Sequence, residues 1–421
     1  MDPLPPLHVA LTGGPCGGKT SFLAASMEHL SARGYRVILV PEAATLLMTS
    51  GIHPRDFPGG HMAKFQELVF RKTLSMENEA IEAADMLGKI NGGRRSIILC
   101  DRGLPDGSVY CSQGEFNAIL RKHNMTMVDA RDARYNYVIH LATAPREFYG
   151  STTNRFRDTS YEDACRADRQ VRDVWTGHPH FKLIGNKEDF KNKISRALTT
   201  ICRALGEPAA YGGERKYLLF EIPDIDRLVA EHGGRVHHSV VVQTYLKDVW
   251  GNTPRVREQS DTEGSLYFYT VQGQSTTLRN RPDQERLISK AEYEALLDDR
   301  DPRVHQIRKT RQCFVLDDQY YKMEMYGGPV FGVAILSVEA SRPEAGVSIP
   351  PCFSVEREVT YEKDFSDDVL AHHEGGFDSI SYISHQGNIK KLLLVDEIQD
   401  NNRFPHLRRG DVGHPRRESY L

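Results

Sequence analysis

The chain has 421 residues, with 54 Lys and Arg against 57 Asp and Glu and a formal charge of −3. Hydrophobic residues make up 39% and charged residues 26%, a globular composition with length for two or three domains of ~150 residues each. Near-neutrality removes any global argument for nucleic acid or an anionic membrane as partner, so phosphate chemistry has to come from local sites. No apolar run approaches the ~20 residues of a membrane span. The opening MDPLPPLHVALTGG has no basic segment ahead of its short apolar run and does not read as a signal peptide. Seven cysteines without CxxC spacing argue against a disulfide framework or a zinc ribbon and fit a reducing, cytoplasmic setting.

In chain order, Leu7–Thr12 is predicted as a buried strand leading into a glycine loop, Lys19–Ala32 as a helix, and Arg36–Val40 as a strand ending at Pro41-Glu42. His61–Met86 reads as one or two helices. Ser96–Cys100, Tyr135–Leu141 and Phe181–Ile184 read as further strands, and Lys187–Leu205 as an amphipathic helix. Strands alternating with helices imply an α/β unit with a parallel sheet covered on both faces. The pattern changes at the small-residue stretch Gly206–Gly213. The expected organisation is a first domain over 1–206, a linker over 207–213, a β-rich domain over 214–396 and a polar, disordered tail over 397–421. The β-rich part has runs at Lys216–Ile222, His238–Leu246, Ser265–Val271, Cys313–Leu316, Tyr320–Tyr326 and Val333–Val338, with a helical insert at Ser289–Leu297. Many short strands point to an antiparallel sheet or barrel.

Gly13-Gly14-Pro15-Cys16-Gly17-Gly18-Lys19-Thr20 matches G-x-x-x-x-G-K-[ST], after a strand and at the start of a helix. Such a loop cradles phosphates with backbone N–H groups, Lys19 reaching the β- and γ-phosphates and Thr20 a Mg²⁺ ion. The apolar strand ending in Asp101 is the expected metal-side partner, and Arg102 would face phosphate or a substrate. Glu42, at the carboxyl edge of the second strand, is either a base for a substrate hydroxyl or an acid favourable to a helix N-terminus. Arg155, ahead of Arg157, lies in a segment expected to close as a lid over the γ-phosphate. Asn186-Lys187-Glu188-Asp189, after a strand, reads either as a guanine-reading loop, with Asp189 accepting from the base, or as a turn and helix N-terminus. Cys16 is either an oxidisable thiol or a small side chain in a loop whose backbone makes the contacts.

The β-rich part repeats basic residues at i, i+2: Lys216 beside Glu214, Arg255 and Arg257, Lys309 and Arg311, then Lys322 with Glu324. Strand alternation puts each pair on one face. The result is either a positively lined barrel, tolerable with a polyanion, or the solvated face of an open sheet.

The set GGPCGGKT, VPEAATLL, FQELVF, DRGLPDGSVY and NRFRDTSYEDA resembles the P-loop, kinase-like AAA-labelled domains of the NadR and TRPL-translocation-defect type. The set GERKYLL, QTYL, RVR, YFYTVQG, KTR, YKMEMY and LSVE resembles the CYTH or triphosphate tunnel fold, over roughly Gly212 to Ala371. Catalytic members of that fold begin with ExExK, whose acids bind divalent metal. Here Gly212 stands for the first Glu, Gln272 for a tunnel Lys and Ser337 for a late acid before Glu339. That pattern favours binding a phosphorylated ligand over hydrolysing a triphosphate. The order of the two units is similar to the TRPL translocation defect protein family. The resemblance implies GTP or ATP binding with Mg²⁺, a phosphoinositide or polyphosphate in the barrel, and a peripheral link to membrane traffic. Ser419-Tyr420-Leu421 fits a PDZ-ligand pattern.

The leading expectation is a Mg²⁺-dependent purine nucleotide-binding protein, GTP favoured, with NTPase activity open. A small-molecule, nucleoside-like kinase is the alternative, and a triphosphatase in the barrel the third.

Overall fold

The computed structural model describes residues 5–91, 95–149, 160–207, 213–247, 254–271, 275–276, 279–280, 284–340 and 347–372. Five strands, β1 (Leu7–Thr12), β2 (Arg36–Val40), β3 (Ser96–Asp101), β4 (Tyr137–Leu141) and β5 (Phe181–Ile184), form a parallel sheet in the order β2-β3-β1-β4-β5. β1 is buried at every position and β3 at all but Asp101. Near-continuous apolar runs are what a sheet covered on both faces demands. The helices are α1 (Lys19–Ser31), α2 (Ala43–Thr49), α3 (Met62–Asn91), α4 (Gln113–Lys122), α5 (Met127–Ala130), α6 (Tyr161–Trp175) and α7 (Phe190–Ala204). The segment expected as one or two helices is a single α3 of 30 residues. Among the described residues no helix is long and apolar enough to cross a membrane.

Of the sequence boundaries that move, those of α7 and β4 do so for local reasons. α7 starts at Phe190 because Asp189, in extended backbone, caps it by accepting from the Asn192 N–H at 2.8 Å. β4 starts at Tyr137. Tyr135 ahead of it is buried, its hydroxyl accepting from the Leu104 N–H and donating to Glu77. Glu77, His8 and Cys100 cluster nearby, but Glu77 is taken by Arg134 and Tyr135, and His8 Nε2 lies 3.2 Å from the Cys100 sulfur. This is an internally satisfied core network.

The second half adds strands β6 (Gly213–Glu221), β7 (His237–Tyr245), β8 (Pro254–Ser260), β9 (Ser265–Val271), a two-residue pair β10 (Ser275–Thr276) and β11 (Arg279–Asn280), then β12 (Gln284–Ile288), β13 (Ile307–Leu316), β14 (Gln319–Tyr326), β15 (Ala334–Ala340) and β16 (Ser354–Glu358). Nine of them form an antiparallel sheet ordered β12-β9-β8-β7-β13-β14-β15-β6-β16. Among the described residues it has two edges, β12 and β16, rather than a closed ring. Helices α8 (Ile225–Glu231), α9 (Lys290–Leu296) and α10 (Asp367–Ala371) complete it. One face buries Tyr217, Leu219, Phe314, Tyr321, Met323 and Leu336 with Ile225 and Val229 of α8. The opposite face carries the charged pairs.

The two sheets share a core. Val315 and Tyr320 pack with Ala10, Val138, Trp175 and Phe181, and the Phe181 and Tyr320 rings meet edge-on at 5.2 Å. Among the described residues, four contacts between basic and acidic side chains cross between the halves: Arg131–Asp261 at 3.5 Å, Arg172–Asp318 at 3.2 Å, His180–Glu285 at 3.2 Å and Lys182–Glu339 at 3.0 Å. In each the basic group comes from the first half and the acid from the second.

Trp175 is fully buried, and its Nε1 donates at 2.5 Å to Asp106, which also accepts from Thr12 and Arg102. Trp175→Phe removes one charge-assisted hydrogen bond and is expected to cost about 1–3 kcal/mol. Urea unfolding followed by far-UV circular dichroism reads this, and an unchanged midpoint would show that Asp106 does not need the indole.

Candidate functional site: a phosphate loop and a charged sheet face

Between β1 and α1 the chain turns through Gly13 (φ +130°), Cys16 (φ +57°) and Gly18 (φ +94°). Gly17 cannot carry a side chain, since a Cβ there would meet the Leu141 carbonyl oxygen at 2.5 Å. The loop lies against the carboxyl ends of β1 and β4, where parallel sheets place their ligands. The Lys19 ammonium is buried and donates to the Gly13 and Gly14 carbonyls at 3.0 and 2.8 Å.

Asp168 of α6 anchors the loop from behind. Its Oδ1 accepts from the Gly14 N–H at 2.6 Å and the Thr143 N–H at 3.1 Å, and lies 3.2 Å from His140 Nε2. Burial pushes its carboxyl up, but His140, the Gly14 N–H and Arg172 outweigh this and hold it well below the usual range. Nothing in the SYEDACRADRQVRDVW pattern distinguishes this carboxylate from its exposed neighbours, and sequence reasoning missed it.

A cavity of about 1250 Å³ opens in front of the loop, lined by Cys16, Gly17, Gly18, Lys19 and Thr20 together with Glu42, Asp101, Asn186 and Asp189. Asp101 ends β3 with its Oδ1 buried and without a hydrogen-bond partner. Burial, then the nearby Glu42 and Asp106 carboxylates, push it up, while Lys19 and Arg102 oppose this. An orphaned carboxylate oxygen on a residue that lines the same cavity as Thr20 is the hard-oxygen chemistry that Mg²⁺ takes. These residues fit the ion.

Glu42 precedes α2 but does not cap it. Its carboxylate accepts from Thr45 Oγ1 at 2.7 Å and from Arg102 Nε at 3.3 Å. Burial would raise its pKa. Arg102, Thr45 and Lys19 reverse that and hold it below the ordinary value, so it stays ionised. Arg102 sits at φ +81°, a conformation non-glycine residues rarely adopt, and its NH1 donates to the Gly13 carbonyl at 2.8 Å and to Asp106 at 3.2 Å. Arg102 thus faces the base of the loop and two carboxylates.

In the predicted base loop, Asn186 donates to the Thr143 carbonyl at 2.7 Å and accepts from Lys193 at 2.8 Å. Both Asp189 oxygens are engaged by Asn192, through its backbone N–H and its side-chain amide. Lys187 is exposed and does not line the cavity. Arg155, Arg157, Gly212, Gln272 and the C-terminal tail fall outside the described residues.

On the second sheet, cross-strand register places Lys309 opposite Tyr326, Arg311 opposite Glu324, Ser337 opposite both Lys322 and Lys216, Glu339 opposite Glu214, and Gln243 opposite Arg257. The predicted basic set therefore does share one face, Arg255 standing two residues from Arg257. This face is not lined by positive charge alone. Lys309 reaches Glu324 at 3.2 Å and Asp367 at 2.9 Å, Arg311 reaches Glu324 at 2.6 Å, Lys322 reaches Glu214 at 2.6 Å, and Arg257 reaches Glu285 at 3.1 Å. Buried cations need such partners whether or not a ligand is present. Among the described residues, Arg257 Nε, Ser239 Oγ and Ser337 Oγ on this face are buried without a hydrogen-bond partner, as is the Glu285 Oε1 carboxylate oxygen.

Residues 8–193 match the model of a family described as an AAA domain. Among solved structures, the chain is similar to the inorganic triphosphatase NE1496, with 26% identity over 39% of this chain and 99% of that one and a TM-score of 0.29. It is similar also to PH1819 from Pyrococcus horikoshii OT3, with 16% identity over 33% and 80% and a TM-score of 0.24. A third is HpAC1 from Hippeastrum, a protein with a dominant triphosphatase activity, with 11% identity over 32% and 81% and a TM-score of 0.21. No curated protein matches the chain.

Asp168→Asn is expected to lower stability by about 1–3 kcal/mol at neutral pH. The folded carboxyl titrates below its unfolded value, so its contribution is fully present above ~4 and is lost as pH falls through the folded pKa. The gap between wild type and variant should therefore narrow below about pH 4 in unfolding titrations.

Proposed function

We propose that this chain is a Mg²⁺-dependent purine nucleotide-binding protein whose second sheet holds a phosphorylated ligand on its charged face. The observation that carries the first part is the cavity lined by Lys19, Thr20 and Asp101, whose Oδ1 has no hydrogen-bond partner. A bound triphosphate would draw the Lys19 ammonium from the Gly13 and Gly14 carbonyls onto its β- and γ-oxygens. The loop's backbone N–H groups and the start of α1 would take the remaining negative charge. Thr20 and Asp101 would hold Mg²⁺, which neutralises charge on the phosphates when bound. Arg155, in the segment before α6, is the proposed contributor over the transferred phosphoryl.

GTP is the favoured nucleotide, on the pattern Asn186-Lys187-x-Asp189. Asn186 braces the loop to Thr143 and Lys193, and Asp189 at the cavity wall would exchange its Asn192 contacts for the base. Nucleotide titration with Mg²⁺ tests this. Asp189→Ala should cut GTP affinity by about tenfold or more if it accepts from guanine, a loss of ~1.4 kcal/mol or more. Equal GTP and ATP affinities that the variant leaves alone would make Asp189 solely a helix cap.

A second reading, phosphoryl transfer to a small acceptor, is favoured by Glu42. Its ionised carboxylate lines the cavity beside Arg102 rather than capping α2. Such a group would take the proton from an acceptor hydroxyl as its oxygen bonds to the γ-phosphorus and the bond to the bridging oxygen breaks, releasing the nucleoside diphosphate. Glu42→Gln is expected to lower turnover by roughly 10²–10⁴-fold with nucleotide affinity retained. Turnover indifferent to the variant, and to any added hydroxyl acceptor, would remove the kinase reading.

For the second sheet, Arg257 Nε, Ser239 Oγ and Ser337 Oγ support the reading, because buried polar atoms call for partners that an anion's oxygens supply. The proposed class is a polyphosphate or a phosphoinositide head group, the latter with peripheral membrane contact. Lys216, Arg255, Arg257, Lys309, Arg311 and Lys322 are the proposed contacts.

A further inference from the structure

Glu214 and Glu339 are direct partners across the β6–β15 ladder. Two carboxylates opposite one another on one face repel, and such a pair is stable only with positive charge between or beside them. Two ammonium groups provide it. Lys322, from the same sheet, lies 2.6 Å from Glu214. Lys182, from β5 of the first half, lies 3.0 Å from Glu339. The placement of Lys182 is not a surface accident. It sits beside Phe181, whose ring is wedged against Tyr320, and β5 is fixed to β4 through Ile139 opposite Lys182.

The surroundings strengthen the pairing. Lys182 stays charged although burial works against it, because Glu339 and then Glu214 raise its pKa. Burial would raise Glu214 in turn, but Lys322, Lys216 and Lys182 bring its carboxyl down to about 2. Next to the pair, Ser337 is 2% exposed and its Oγ has no partner. Two carboxylates and a neighbouring hydroxyl are the oxygen set a hard divalent cation would take. An ammonium already occupies the electrostatic role.

We infer that Lys182 is a built-in counter-cation that one half of the chain lends to the other, standing where a divalent metal would otherwise bridge Glu214 and Glu339. The charged face therefore takes its phosphorylated ligand without metal. This second step rests on the phosphorylated-ligand reading of that face; the role of Lys182 does not.

Mn²⁺ binding to the nucleotide-free full chain, counted by the loss of free-ion EPR signal, tests the role of Lys182. Lys182→Gln should bind one Mn²⁺ more than wild type, and the double variant with Glu339→Gln should return to the wild-type count. Lys182→Arg keeps the charge and should also match wild type, which separates loss of the cation from loss of packing. An unchanged count in Lys182→Gln would overturn the inference, as would a wild-type Mn²⁺ site lost in Glu339→Gln. For the ligand, inorganic tripolyphosphate is titrated into the Lys19→Ala chain, which removes the phosphate loop as a competing site. Affinity equal in EDTA and in Mn²⁺ is expected. Binding that needs Mn²⁺ overturns the metal-free step. No binding in either condition removes the phosphorylated-ligand reading itself, while the Mn²⁺ count still decides the role of Lys182.

Discussion

Compensation of buried charge is the constraint on which both halves of this molecule depend. A cation withdrawn from water loses several kcal/mol of solvation unless an opposite charge or a set of dipoles replaces it. In the first half, Lys19 rests on two carbonyls of its own loop and Arg102 on Glu42, Asp106 and the Gly13 carbonyl. In the second, Lys309 and Arg311 converge on Glu324. The two arrangements differ in what they leave open. The phosphate loop has a cation hydrogen-bonded to two carbonyls, with the Glu42 and Asp101 carboxylates near it, and a phosphate can compete for it. The sheet face has cations already held by full carboxylates, and an incoming anion must share them.

The same constraint shapes the contact between the halves. Arg131, Arg172, His180 and Lys182 face Asp261, Asp318, Glu285 and Glu339 around an apolar centre of Phe181, Val315 and Tyr320. The apolar centre supplies the drive for burial, while the sign pattern fixes the register of docking. A single helix, α6, links this contact to the loop that borders the cavity. Asp168 holds the Gly14 N–H, and one turn later Arg172 reaches Asp318 at the tip of the β13–β14 hairpin. That tip, Asp317-Asp318, has both residues at positive φ, +49° and +55°, as a two-residue hairpin turn requires. The body of the hairpin carries Lys309, Arg311, Lys322 and Glu324. The phosphate loop and the charged face are thus joined by contiguous rigid elements.

Much of this was legible in the sequence where the signal is local. The phosphate loop, the Asp101 strand and the parallel α/β pattern depend on residues within a few positions of each other. The i, i+2 basic pairs did predict a shared face, since strand alternation is strict. What was not legible required partners distant in the chain. Asp168 looks like any helical carboxylate until it meets Gly14, 154 residues away. Glu42 carried two readings because only the fold shows its carboxylate accepting from both Arg102 and Thr45 of α2. The polar β12 and β16, QERLI and SVERE, were missed because edge strands carry little apolar periodicity.

The sequence by itself determined the order of the two units, the glycine loop after the first strand and the i, i+2 spacing of the basic residues, because these follow from chain periodicity and short-range backbone geometry. The tertiary structure alone decided how those charges are balanced. The acids opposite Lys309, Lys322 and Arg257 arrive from other strands and from α10, and Glu339 meets its cation from the other half of the chain. Electrostatic energy depends on distance in space, and a one-dimensional pattern does not contain that distance.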